Sequence, residues 1–168
     1  MRCIFKINSS GKYQLYDNQN HQWEDVIYDS VTKPQKGNVS SVLQIFSCVA
    51  VQRGGKTGIF SLLKRKLLIP CQYDDILYDY RERFNGGWVV SQKGKLGLLS
   101  INGDVILPCD YDEIIPEPYA WLIKQNGLYG TYDNKTKTMG LLCVYDEIIV
   151  SSDDYRVRKG SEWVTINR

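Results

Sequence analysis

The sequence predicts an all-β fold of about four and a half antiparallel β-repeat units, and three observations carry that expectation. The segment Tyr73-Asp74-Asp75-Ile76 recurs as Tyr111-Asp112-Glu113-Ile114 and Tyr145-Asp146-Glu147-Ile148, with a degenerate copy at Tyr28-Asp29-Ser30-Val31. A glycine precedes each tyrosine at a nearly fixed distance: Gly11 by 17 residues, Gly55 by 18, Gly94 by 17 and Gly127 by 18, while Gly160 opens a shorter fifth copy. No window holds a helical apolar period over a helix length, whereas short runs rich in β-branched and aromatic residues recur throughout. Repetition of this kind marks an array in which each unit buries its apolar face against a neighbour.

Each unit opens on a short strand such as Cys48-Val49-Ala50-Val51, Trp88-Val89-Val90 or Trp121-Leu122-Ile123. A tight Lys-Gly or Asn-Gly turn follows, because these residues accept the positive φ that a two-residue hairpin needs. Thr57 to Phe60, Leu96 to Leu99 and Tyr129 to Tyr132 form the second strand. A second turn falls at Asn102-Gly103 or Asp133-Asn134, and an apolar strand such as Val105-Ile106-Leu107 runs up to Pro108. Pro70 and Pro108 are expected to stop that strand, since proline cannot donate to a ladder. The Tyr-Asp-acid-Ile segment is expected as the last short strand. From it to the next glycine the spacing is 27, 21, 16 and 15 residues in successive units, so this half carries loops of free length. The units are expected to stack as a twisted sheet or solenoid, or to close as a small propeller-like array. Closure would pair Cys3 to Asn8 with Glu162 to Asn167 and remove two exposed edges.

A chain of 168 residues with 43% hydrophobic and 24% charged residues fits a single domain over 1–168 and excludes general disorder. Such a chain can bury enough surface to fold without a metal or disulfide staple. The formal charge of +2 is too small to indicate a nucleic-acid binder. Arg53, Lys56, Lys64, Arg65 and Lys66 do form a basic stretch, and Asp104, Asp110, Asp112, Glu113 and Glu117 an acidic one. Both read as solvated faces. No signal peptide and no apolar window of membrane-spanning length stands out, so the cytosol is the expected compartment and no membrane partner is expected.

The best copy of the unit runs from Lys93-Gly94-Lys95-Leu96-Gly97-Leu98-Leu99 through Val105-Ile106-Leu107-Pro108 to Tyr111-Asp112-Glu113-Ile114. It resembles the WG-repeat proteins, whose units read Lys-x-Gly-Lys-Trp-Gly-Leu-Ile, a turn, Val-Ile-Pro and Tyr-Asp. The resemblance covers nearly all 168 residues, although the Trp-Gly pair is never intact: Thr57-Gly58, Leu96-Gly97 and Tyr129-Gly130 keep the glycine, and Trp163-Val164 the tryptophan. It implies a mostly bacterial, β-repeat interaction module.

The repeat also weighs on the candidate chemistry. Cys71, Cys109 and Cys143 each stand two residues before a motif tyrosine, where the first unit has Val26, so they read as one small buried apolar position. Cys3 and Cys48 share a strand position, matched by Trp88. His21, the single histidine, falls at an exposed turn and lacks the carboxylate and cleft that catalysis requires. The paired acids are copies of one site, whereas acid–base catalysis needs two differently tuned environments. Their first member is expected to accept backbone hydrogens at a turn, and calcium binding lacks its dense loop spacing. Neither a nucleotide loop nor a metal site is indicated, and no cofactor is expected.

With no catalytic constellation, the expected function is non-enzymatic protein binding, most specifically as a bacterial immunity protein that neutralises a toxin domain. The alternatives are a glycan- or cell-wall-binding module using Tyr80 or Trp88, and a hydrolase using His21. The variable halves 32–47, 77–87, 115–119 and 149–154 leave from equivalent points and are expected along one edge. The expected partner-binding face is Tyr78, Tyr80, Arg81, Arg83, Phe84, Glu117, Tyr119, Asp153, Asp154 and Tyr155.

Overall fold

The computed structural model describes residues 3–32, 35–36, 47–79, 87–133 and 135–168. Among the described residues the fold is all-β, with nineteen strands and no α-helix. By contact the chain falls into two compact units, Met1–Tyr78 and Asp79–Arg168.

In the first unit β1 (Cys3–Ile7), β2 (Tyr13–Asp17) and β3 (Gln22–Tyr28) form an antiparallel meander. A second sheet has the order β4 (Ser30–Thr32), β6 (Cys48–Arg53), β7 (Lys56–Ser61), β8 (Lys66–Tyr73), again antiparallel. The two-residue β5 (Gln35–Lys36) pairs in parallel with β9 (Asp75–Asp79). In the second unit β10 (Gly87–Gln92), β11 (Lys95–Ser100) and β12 (Val105–Tyr111) form the next meander. A four-stranded sheet follows, β13 (Glu113–Pro116), β14 (Ala120–Gln125), β15 (Leu128–Asp133) and β16 (Thr138–Tyr145). The last sheet is β17 (Glu147–Val150), β18 (Asp154–Lys159) and β19 (Glu162–Asn167). At the chain's two ends, β1 has β2 as its ladder partner and β19 has β18.

The Tyr-Asp-acid-Ile segment is a corner rather than a strand. Its tyrosine ends β3, β8, β12 or β16, its aspartate turns, and the next residue opens β4, β9, β13 or β17. In three of these cases that new strand pairs with the opening strand of the following unit, β4 with β6, β13 with β14 and β17 with β18. In these three repeats the last strand is therefore given to the next sheet. The prolines also behave differently from expectation: β8 and β12 run through Pro70 and Pro108 to Tyr73 and Tyr111. Both are outer strands of their sheets, where the amide that proline lacks has no ladder to join.

Within each unit, neighbouring sheets pack against each other through the alternate side chains of their strands. Leu15, Tyr28, Val51 and Phe60 form the core between the first two sheets, with Phe5 set edge-on against Tyr28 and Phe60 at 5.7 and 5.4 Å between ring centroids. In the second unit Val89, Leu98, Leu107, Ile114, Trp121, Ile123 and Tyr132 fill the space between the β10–β12 and β13–β16 sheets. Ala120, Ile148, Tyr155 and Val157 do so between the last two.

The glycine of the Trp-Gly position has a steric reason. At Gly58, Gly97 and Gly130 the outer strand bulges and its backbone comes so close that a Cβ on Gly130 would lie 2.6 Å from the Leu141 carbonyl oxygen and 2.8 Å from the Cys143 amide. In the first unit Gln14 takes this place and turns the closeness into a hydrogen bond, its Nε2 donating to the Glu24 carbonyl at 2.6 Å. On β19, itself the outer strand of its sheet among the described residues, valine fits: Val164 pairs with Val157 as Gly58 does with Val51.

The motif cysteines pack against these glycines and are half-buried rather than fully buried. The Cys71 thiol donates weakly to the Val51 carbonyl at 3.7 Å and the Cys143 thiol to that of Ile123 at 3.8 Å. Burial raises the pKa of both thiols and keeps them protonated. Cys48 faces Ser61, and its counterpart facing Ser100 is Gly87, so the equivalence drawn with Trp88 is displaced by one residue. Replacing Cys71, Cys109 or Cys143 by Val is expected to retain the fold at a cost of about 1 kcal/mol, checked by urea titration. Stoichiometric metal lost on any of these changes would contradict the structural role.

Candidate functional site

The repeated carboxylates are engaged in holding sheets together. Asp29 accepts the Lys12 ammonium at 2.6 Å and the Gly54 amide at 2.8 Å, while its own amide donates to the Gln52 carbonyl. Asp112 pairs with Lys95 and accepts the Asn126 and Gly127 amides, and Asp74 pairs with Lys56. In the fourth copy Leu128 replaces the lysine, yet Asp146 still accepts the Gly160 amide at 2.6 Å. The lysine contact first, with the turn amides, holds Asp29 and Asp112 below the usual carboxylate pKa. The second acid of the motif pairs across strands, Glu113 with Lys124 at 3.0 Å and Glu147 with Arg158 at 3.2 Å. Among the described residues no three of His, Cys, Asp and Glu gather in a way that could hold a metal ion. His21 is exposed at φ 55° in the β2–β3 turn, its Nδ1 3.3 Å from the Tyr16 hydroxyl.

The expected partner-binding face divides into several fates. Tyr80, Arg81, Arg83 and Phe84 lie outside the described residues, as does the side chain of Tyr78, whose backbone belongs to β9. Glu117, Tyr119 and Asp154 are half-buried, and Asp153 is exposed. Tyr155 is no surface residue: it is 3% exposed and packs in the core between the last two sheets, its hydroxyl donating to Asp133 at 3.0 Å. Its place on β18 alternates with exposed Arg156, so the strand pleat turns it inward. Trp88 is likewise 1% exposed, with its indole N–H on the Ile101 carbonyl, and offers no face to a glycan.

The 117–119 and 151–154 loops do come together, through a residue the sequence did not signal. The Arg168 guanidinium donates to the carbonyls of Tyr119 at 2.8 Å, Ser151 at 3.0 Å and Ser152 at 3.2 Å, and to Asp133 Oδ2 at 2.5 and 3.1 Å. The rings of Tyr119 and Tyr155 lie 5.7 and 5.3 Å from it. Burial alone would raise the pKa of Asp133, but the Thr136 amide, Arg168, the Lys135 amide and the Tyr155 hydroxyl together hold it far below the ordinary carboxylate value. These contacts join Asp133 of β15, Tyr155 of β18 and the 117–119 and 151–154 loops to one guanidinium, which makes this cluster a lock between the last two sheets.

A different place breaks the repeat. Ile69 and Leu107 are buried in the outer strands of the second and third sheets, and Leu141 is half-buried in the fourth. In β3, which returns from its turn one residue sooner, Glu24 stands there instead. The core between the first two sheets is consequently open at this point as a groove of about 260 Å³. Leu15, Val26, Tyr28, Phe60 and Leu67 form its apolar wall, and Glu24, Arg53, Arg65 and Lys66 its charged rim. Arg65, at φ 53° in the β7–β8 turn, is fixed by Glu24 at 2.6 Å and by buried Asp17 at 3.3 Å. Arg53 and Lys66 are exposed and have no carboxylate partner among the described residues. The basic stretch seen in the sequence thus splits, with Lys56 and Arg65 paired and Arg53 and Lys66 left facing the groove.

No family model and no curated protein matches the chain. Among solved structures it is similar to KlHsv2 with loop 6CD replaced by a Gly-Ser linker, at 10% identity and a TM-score of 0.34 over 67% of this chain and 41% of that one. It is also similar to the extracellular domain of the putative hybrid two component system BT3049 from B. thetaiotaomicron, at 13% identity and TM-score 0.33. A third likeness is to PorZ, a surface component of the type-IX secretion system of Porphyromonas gingivalis, at 8% identity and TM-score 0.31. The chain is covered to 99% in these last two and spans 26% of each of those chains. Likeness at this level assigns neither family nor activity.

Proposed function

We propose that this chain is a non-enzymatic protein-binding domain of the WG-repeat kind, and most specifically a bacterial immunity protein that neutralises a cognate toxin in the cytosol. The observation that carries the reading is the groove: at one unit only, the repeat gives up a core aliphatic residue and places an apolar wall beside two cations with no carboxylate partner among the described residues. An apolar wall with a charged rim is the anatomy of a recognition surface, not of a folding device. The engagement of the motif carboxylates in turns and cross-strand pairs supports a scaffold rather than a catalyst.

Co-expression with the product of the adjacent gene tests the specific version. The expected result is that the neighbour arrests growth alone, that this chain restores growth, and that the two purify together. A neighbour that is neither toxic alone nor retained on this chain overturns it.

A further inference from the structure

We propose that the groove takes an extended peptide segment of a partner protein whose groove-facing side, made by every second residue, carries an aliphatic side chain flanked by carboxylates. The inference rests on the protein-binding reading above and narrows it to one place and one chemistry.

Charge decides the sign of the ligand. The rim holds three cations, Arg53, Arg65 and Lys66, against one carboxylate, Glu24, which is spent on Arg65 together with buried Asp17. A ligand that covers Arg53 and Lys66 without bringing a negative charge would strip them of water for nothing in return. Size decides its kind. About 260 Å³ open to solvent along one side is too small and too shallow to enclose a typical small-molecule ligand, but it admits one or two side chains of a chain lying across it.

The edge of β3 supplies the third argument. β3 is the outer strand of its sheet, as β8 and β12 are of theirs, yet it carries Asp25 where those strands carry Pro70 and Pro108. Its edge therefore keeps the backbone donor that β8 and β12 have lost, as β16 does with Leu142, and an added strand can pair with it beside the groove. Val26 is 42% and Leu67 37% exposed on the groove wall, a contact area for an aliphatic side chain of that added strand. Because successive side chains of a strand point to opposite faces, the carboxylates that reach Arg53 and Lys66 stand two residues from that aliphatic one, on the same face.

The test uses the whole chain, labelled with nitrogen-15, and three synthetic probes: acetyl-Glu-Ser-Leu-Ser-Glu-Ser-amide, acetyl-Lys-Ser-Leu-Ser-Lys-Ser-amide and acetyl-Glu-Ser-Ser-Ser-Glu-Ser-amide. The first probe is expected to shift the amides of residues 22–28 and of Leu67 saturably, and the other two to do so at least about tenfold more weakly. Arg53→Glu with Lys66→Glu, two exposed positions, should weaken the first probe by about tenfold and favour the lysine probe, whereas Lys159→Glu should change nothing. Arg53→Gln with Lys66→Gln guards against a misfolded charge reversal, and is expected to weaken the first probe without favouring the second. Equal binding of the glutamate and lysine probes, shifts away from the groove, or indifference to both double variants overturns the proposal. A partner protein retained in full by Arg53→Glu with Lys66→Glu removes the groove and leaves the protein-binding reading standing. Peptide binding with the expected charge dependence, but without any retained protein, does the reverse.

Discussion

Replacing Arg168 by Ala is expected to destabilise the protein by about 3–5 kcal/mol, the cost of leaving one member of a buried ion pair uncompensated. Its side chain is 9% exposed and that of Asp133 8%, so water cannot take over the lost contacts. Three loop carbonyls, of Tyr119, Ser151 and Ser152, lose their donor at the same time. Arg168→Lys should recover only part of the loss, because an ammonium cannot reproduce the planar fork that serves several acceptors at once. Urea unfolding of the second unit's strands, followed by amide exchange at Ile148 and Val157, separates this from a local effect.

The same lock sets an acid dependence. The folded Asp133 has its pKa lowered, so it binds a proton less readily than in the unfolded chain. Its contribution to stability is therefore complete above the unfolded carboxylate pKa of about 4 and is lost progressively as the pH falls below it. Asp133→Asn should be less stable at neutral pH and should lose less on acidification, a difference read from denaturant midpoints between about pH 6 and pH 3.

Gly130→Ala is the second large effect, expected at about 3 kcal/mol, the upper end of what overpacking costs. The added Cβ would sit 2.6 Å from the Leu141 carbonyl oxygen and 2.8 Å from the Cys143 amide, and both neighbours are backbone, which cannot swing aside as a side-chain tip would. Gly97→Ala meets the Cys109 sulfur at 2.8 Å and the Leu107 carbonyl at 2.9 Å, so a similar loss is expected. Val164→Ala, at the matching position of β19, itself the outer strand of its sheet among the described residues, should stay within about 0.5 kcal/mol. Equal losses at all three positions in thermal unfolding would refute the steric account.

The frame of this fold was legible because the frame is what repeats. The turn glycines, the Gly-to-Tyr distance and the motif aspartate each answer to a local need, and local needs write themselves into short patterns. The Asp29 and Asp146 contacts with Gly54 and Gly160 are the turn-amide role that the sequence suggested for the first acid. What escaped was the handover between sheets. Tyr28 and Ser30 are two residues apart yet belong to different sheets, and no periodicity distinguishes a corner from a strand.

The candidate site was harder to read for a related reason. Arg168 and Asp133 are 35 residues apart and meet only through packing, and neither belongs to the motif. Arg53 and Lys66 were visible as part of a basic stretch, but their separation from paired Lys56 and Arg65 depends on where Asp74, Asp17 and Glu24 fall in space. One signal was available in the sequence. Aligning the units on their tyrosines puts Glu24 against Ile69, Leu107 and Leu141, and a charge in a column of aliphatics marks either a broken core or a site.

The most direct test of the account is hydrogen–deuterium exchange on this chain with and without the co-purified product of the adjacent gene. The account predicts a stable complex with protection concentrated in residues 22–28 and 65–67, along β3 and the facing rim of the groove. Failure to form a complex, or a complex whose protection leaves both segments unchanged, would contradict it.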